Sequence, residues 1–309
     1  MDDKKNDPKS LAMNVAAMLI FGTIGIFRRQ IQVSSAFLAF TRGILGGLVI
    51  LAFVKMTGKG AKEKVSRGQF LWLACTGAIM GINWILLFEA FNHTTVAVAT
   101  LCYYMQPTIV MLLSPALFRE RLTGRKAACA AAAVAGMILV SGIIGGSPSP
   151  GGGMQGILLG LGAALFYATV IIMNKNSRAR GVDAYRKTTI QLFAAGAVMI
   201  PYLILSGSGP DTGRTDAVTI LLLLVVGIVH TGIAYLLYFG SMDGISVQSI
   251  AILSYIDPVS ALFFSAVFLQ EPLSVAGIIG AFLIIGSAVI SEYEPGKHPA
   301  LRRLFSRKR

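Results

Sequence analysis

Asp257 is the residue whose position asks most for a chemical explanation. It lies near the centre of the apolar run 247–268, directly before Pro258. A carboxylate at the centre of a membrane-spanning helix costs ~2.5–3.5 kcal/mol on insertion scales, so such a group binds a cation, carries a proton or pairs with a polar neighbour. Two readings follow: Asp257 faces a substrate cavity, or it makes a structural pair with Arg42 or with tyrosine hydroxyls. Three further polar groups sit within or near apolar runs. Glu89, close to Asn92 and His93, is a proton or cation site or a wetted interfacial acid. His230 is a proton relay or a hydrogen-bonded packing residue. Arg42 binds an anionic substrate group or forms a structural ion pair.

Aromatic side chains accompany these groups. Trp84, Tyr103, Tyr104, Tyr167, Tyr235 and Tyr255 fall inside apolar runs, and Asn83 sets an amide beside Trp84. Together they could form an amphipathic box for a small organic molecule, including one that bears an amine; the alternative is helix packing. Pro107 and Pro258 lie mid-run, where each removes a backbone donor and clashes with the carbonyl four residues back, at Tyr103 and Ser254. Carbonyls freed at membrane depth need protein, water or ligand partners. Tyr103 and Gln106 share one helix face, and Ser254 and Asp257 share another. The expected substrate-binding set is therefore Asn83, Trp84, Tyr103, Gln106, Tyr235, Ser254, Tyr255 and Asp257, with Asp257, Glu89 and His230 as candidates for proton coupling.

Composition decides the environment of these residues. Apolar types make up 55% of the 309 residues and charged types 13%, about half the share of a soluble domain; mean hydropathy is +0.71. A net charge of +13 would suit nucleic acid, but the basic residues cluster in short segments between apolar runs, as orientation signals do. No nucleic-acid partner is expected. Cys75, Cys102 and Cys129 sit in apolar runs without CxxC spacing and read as reduced packing residues. No Walker A, HExxH or G-x-S-x-G motif occurs, and the three histidines are far apart. No metal, cofactor or catalytic residue is expected. The first apolar run follows a mixed-charge start without a cleavage site, so it reads as a spanning helix rather than a secretory signal.

Ten apolar runs suit helices crossing ~30 Å of hydrocarbon: 11–27, 36–54, 70–92, 96–118, 127–144, 156–173, 188–205, 217–239, 247–268 and 275–291. With both termini cytoplasmic, 23 of the 27 lysines and arginines fall on the inner side, a strong positive-inside bias. The pair Arg28–Arg29 runs against it. Gly43/Gly47 and Gly156/Gly160 have the spacing of close helix contacts, expected within the chain, so the oligomeric expectation is a monomer or weak homodimer. The tail 292–309 is basic with interspersed leucines and a phenylalanine, suited to an anionic inner leaflet.

The chain also repeats itself. Residues 84–123 align without gaps on 235–274, with Tyr104/Tyr255, Pro107/Pro258, Ser114/Ser265, Glu120/Glu271 and Leu122/Leu273 matched. The segment 145–155 divides a first half, 11–144, from a second, 156–291, behind a short N-terminus, 1–10. Five helices per half is an odd number, so the second half must lie inverted, with Glu120 and Glu271 on opposite sides. Inverted repeats around a central site let a transporter alternate between two openings.

These features resemble the drug/metabolite transporter superfamily and its EamA-type members. The resemblance rests on the two five-helix halves, on Pro107 to Glu120 followed by Leu122-Thr123, on the copy Pro258 to Glu271 followed by Leu273-Ser274, and on Arg42 in Phe40-Thr41-Arg42-Gly43. It implies a ten-helix, all-α membrane transporter in which Arg42, Pro107, Pro258, Glu120 and Glu271 are structural. It also implies a secondary active exporter of amino acids or related solutes in the cell membrane. A proton-coupled multidrug or organic-cation exporter is the alternative, and an integral membrane enzyme a remote one. The expected partners are a small-molecule substrate and the lipid bilayer.

Overall fold

The computed structural model describes residues 7–58, 64–118, 123–140, 153–175, 178, 181–207, 216–242, 244–271 and 274–292. Among them every regular element is helical. The first half holds α1 (Pro8–Gly22), α2 (Ile24–Gln30), α3 (Ser35–Thr57), α4 (Arg67–His93), α5 (Val96–Tyr103), α6 (Gln106–Phe118) and α7 (Gly124–Val140). The second holds α8 (Met154–Lys175), α9 (Ala184–Ala197), α10 (Met199–Ser206), α11 (Ala217–Gly227), a π-helix (Ile228–Ile233), α12 (Ala234–Ser241), α13 (Val247–Leu253), α14 (Ile256–Phe268) and α15 (Val275–Glu292).

Seven stretches are long and apolar enough to span a membrane: Pro8–Gln30, Ser35–Thr57, Arg67–His93, Val96–Leu113, Met154–Lys175, Ala184–Ser206 and Ala217–Ser241. At 1.5 Å per residue, the 23 residues of α3 reach about 34 Å. Helices α7, α14 and α15 are shorter, and each coincides with part of an expected run. The outer surface is apolar: Leu205 is 87% exposed and Phe282 77%. Side chains this large and this exposed find their solvent in lipid tails.

Helix ends are capped by side chains, which meet the N–H groups that the first turn leaves unpaired. Asp7, Ser34, Ser66, Thr95, Asp183, Asp216 and Ser246 each accept a hydrogen bond from an N–H of the first turn. Thr95 accepts from Val98 N and Ser246 from Ser249 N, so the two caps stand in the same 151-residue register as the sequence repeat.

Neighbouring helices pair in a pattern that survives exchange of the halves. α4 packs on α8 as α12 packs on α1. α4 packs on α9 as α11 and the π-helix pack on α3, and α5 and α6 pack on α8 as α14 packs on α1. The contacts α3–α9 and α7–α15 map onto themselves. Contact α7–α15 is backbone-close: a Cβ on Gly136 would sit 2.7 Å from the Gly280 carbonyl oxygen, and one on Gly280 would sit 2.5 Å from that of Gly136. Gly43 abuts the backbone of Leu192 and Gly196, while Gly156 and Gly160 abut Thr94 and Cys102. The glycine spacing thus serves contacts within the chain.

Two expectations change. Cys75 is exposed on the outer surface, whereas Cys102 and Cys129 are buried as expected. The prolines do not kink continuous helices; the helices break before them. α5 ends at Tyr103 and α6 begins at Gln106, and α13 ends at Leu253 with α14 beginning at Ile256. Pro107 and Pro258 therefore occupy the first turn of a new helix, where the missing N–H has no intrahelical partner to lose. Glu120, the segment 145–152 and the tail 293–309 lie outside the described residues.

Candidate functional site

The two breaks lie side by side around one cavity of about 650 Å³. That volume falls in the range of small-molecule sites. Of the expected binding residues, Trp84, Tyr103, Gln106, Tyr235, Ser254, Tyr255 and Asp257 line it, as do Arg42 and Pro107. Tyr104, Tyr167 and Tyr238 join them. The cavity continues to Lys126, Lys175 and Ser291, near the ends of α7, α8 and α15.

Asp257 sits in the first turn of α14. A helix N-terminus carries partial positive charge, which offsets part of the cost of a carboxylate at this depth. Its Oδ2 accepts a hydrogen bond of 2.5 Å from the Tyr104 hydroxyl, which reaches across from the other break. Of the two structural pairings open from sequence, the tyrosine is the one formed. Gln106, its counterpart in the first half, is 8% exposed, and its side-chain carbonyl has no hydrogen-bond partner among the described residues.

Arg42 is 5% exposed on α3. Its guanidinium carbon lies 4.0 Å from the centroid of a Trp84 ring and 5.3 Å from that of Phe88, and its Nε donates to Thr231 Oγ1 at 3.2 Å. No ion pair joins Arg42 to Asp257 or to another acid among the described residues.

Other sequence candidates fall elsewhere. Asn83 is fully buried, and its amide donates to the Ala163 carbonyl at 2.6 Å, clamping α4 to α8. It is absent from the cavity wall because it faces a helix neighbour. Asn14, unmarked by any sequence pattern, donates to Ser241 Oγ at the corresponding α1–α12 contact. Glu89 accepts from Ser35 Oγ and Asn92 Nδ2 and contacts His93, on a different face of α4 from Leu87 and Phe91, which line the cavity. His230 lies in the π-helix, hydrogen-bonded to Thr23 at 2.9 Å and edge-on to Phe27. Both are off the cavity wall.

Glu271 is off the cavity wall and joins helix ends. Its carboxylate accepts from Arg29 at 2.7 Å, from the Val96 N–H at 2.9 Å and from Ser265 Oγ at 2.8 Å, tying α2, α5 and α14 together. Arg29 also donates to the Thr94 carbonyl, and Arg28 to the Ile31 carbonyl and Ser35. This pair of arginines, at odds with the charge bias, is held by structural partners.

Sequence reasoning left Tyr104 outside the binding set, although its match to Tyr255 in the repeat was a usable signal. Thr231 and the π-helix had none: a π-turn leaves no mark in composition, and neither does the bond from the Thr231 hydroxyl to the Val226 carbonyl.

An all-helical chain with a lipid-suited surface and a polar interior cavity defines a multi-pass membrane protein. The sequence profile of the EamA-like transporter family matches it twice, over residues 9–142 and 154–293. The chain belongs to that family. It is 30% identical over 254 residues to "Uncharacterized transporter YxxF" of Bacillus subtilis (strain 168), covering 82% of this chain and 80% of that one. It is 27% identical to "Protein PecM" of Dickeya dadantii, over 72% of this chain and 73% of the relative. A solved structure at 22% identity superposes with a TM-score of 0.63, covering 96% of this chain and 98% of that one, which is a likeness of fold.

Proposed function

We propose that this protein is a secondary transporter that moves small organic metabolites, amino acids and related solutes foremost, across the cell membrane by alternating access. It works with ten spans in two inverted five-helix halves, with both termini cytoplasmic. The observation that carries this reading is the single cavity formed where the paired breaks, Tyr103–Gln106 and Leu253–Ile256, meet between two copies of the family profile. Exchange-symmetric helix contacts and the matched caps Thr95 and Ser246 support the repeat. Broken helices around a central cavity are how such carriers expose backbone and helix termini to a solute.

In the proposed orientation the cavity reaches the cytoplasmic helix ends at Lys126 and Lys175 and is closed outside by the Glu271 network. This is the arrangement of an inward-facing carrier. Export is carried over from the family resemblance. Within the cavity wall Arg42 is the one basic group at the level of the breaks. A polyphosphorylated solute would need several cations to replace its water.

A second reading, a proton-coupled organic-cation exporter, is favoured by Asp257, a carboxylate on the cavity wall that can exchange a proton for a cation. Proteoliposomes loaded with labelled amino acids, organic cations or nucleotide sugars test both. Amino-acid efflux supports the first reading and cation efflux the second; nucleotide-sugar exchange with silence elsewhere refutes both.

A further inference from the structure

An arginine and a carboxyl group share the cavity without pairing. Arg42 stands on α3, stacked on Trp84, and Asp257 stands at the start of α14, held by Tyr104. Both line the cavity, and no ion pair joins them. Tyr103 and Tyr235 are also on its wall. A structural arginine at this depth would be expected to meet a carboxylate, since an uncompensated buried charge is expensive. Here the aromatic face of Trp84 and the Thr231 hydroxyl hold the guanidinium in place, and its terminal nitrogens have no hydrogen-bond partner among the described residues. A planar fork of this kind is shaped for a carboxylate. On the Asp257 side, the partnerless Gln106 carbonyl adds a second acceptor for an ammonium group.

Resting on the transporter reading above, we infer that the substrate is a zwitterion bound across the cavity, its carboxylate on Arg42 and its ammonium group on Asp257 and Gln106, with the aromatic wall of Trp84, Tyr103 and Tyr235 around its side chain. Arg42 is then a specificity-determining residue that rejects amines lacking a carboxylate. Asp257 rejects acids lacking an amine, because a solute with one charge leaves the opposite wall charge unmatched.

The test uses the purified full-length protein and four amino acids of different size, leucine, methionine, phenylalanine and threonine. Each is presented alone, as its carboxamide and as its deaminated acid. Binding is read by thermal shift and calorimetry. The wild type is expected to bind at least one free amino acid roughly tenfold or more tightly than either derivative, the loss expected for one charged hydrogen bond. Arg42→Gln should equalise amino acid and carboxamide, and Asp257→Asn should equalise amino acid and deaminated acid. The ligand series on the wild type stands even if a variant fails to fold. Equal binding of amino acid and carboxamide by the wild type overturns the inference while leaving a transporter of amines intact. Binding of none of the four amino acids overturns it too; efflux of organic cations in the proteoliposome assay would then show that the transporter reading survives, and silence of every solute there that it falls as well.

Discussion

Arg29, at the end of α2, reaches Glu271 beyond α14 at 2.7 Å, although 242 residues separate them in sequence. The pair is partly wetted, with side chains 31% and 16% exposed. Alone it is worth ~0–1 kcal/mol. Glu271 gains weight because it also accepts the Val96 N–H at the start of α5, a capping role worth about 1 kcal/mol. One carboxylate thus ties together helix ends that alternating access would have to separate.

Removing that tie should bias the carrier toward opening at this end. In Glu271→Ala the Val96 N–H loses its acceptor and Arg29 its carboxylate partner, and a cysteine introduced at Phe91 should react faster with a membrane-impermeant thiol reagent added outside. Phe91 lies on the cavity wall near the C-terminal end of α4. Unchanged labelling would make Glu271 a static brace.

Asp257→Asn should leave a folded protein, since Tyr104 can still donate to the amide oxygen, but transport should fall or lose its pH dependence. Tyr104→Phe removes the donor to a carboxylate inside the bundle, a loss of about 1–3 kcal/mol to stability or to the orientation of the acid. Transport of both variants indistinguishable from wild type across acidic and alkaline pH would remove Asp257 from the mechanism. Added loss of Arg42 should not rescue Asp257→Asn, because the two groups are not paired.

The α7–α15 contact should be intolerant of bulk. Gly280→Ala places a methyl group 2.5 Å from the Gly136 carbonyl oxygen, and overpacking of that kind costs typically about 1–3 kcal/mol. Gly286→Ala on the same helix meets nothing within 4 Å and is the matched control. Thermal denaturation in detergent should show a clear drop for the first and none for the second.

Inversion of the halves predicts opposite sidedness for repeat-equivalent positions. After replacement of Cys75, Cys102 and Cys129, a cysteine at Thr123 should label from the cytoplasm and one at Ser274 from outside. Labelling of both from one side would end the inverted-repeat argument.

Much of the helical architecture was legible because lipid imposes a simple rule: backbone donors must be satisfied within the segment, so long apolar runs become helices. The repeat made Gln106 and Asp257, and the tyrosines near them, visible as equivalent positions before any coordinates. What a side chain faces is set by helix rotation and by neighbours distant in sequence, and hydropathy does not record those. Tertiary packing therefore turned Asn83 toward α8 and placed Glu89 and His230 outside the cavity. The helix breaks before Pro107 and Pro258, by contrast, follow from the prolines themselves, which lack the N–H that a continuous helix would give to Tyr103 and Ser254. Tertiary packing also decided the partners of the charges. Asp257 met Tyr104, Arg42 met Trp84, and Arg29 met Glu271, because only the folded bundle brings α3 against α4, α5 against α14 and α2 near the end of α14.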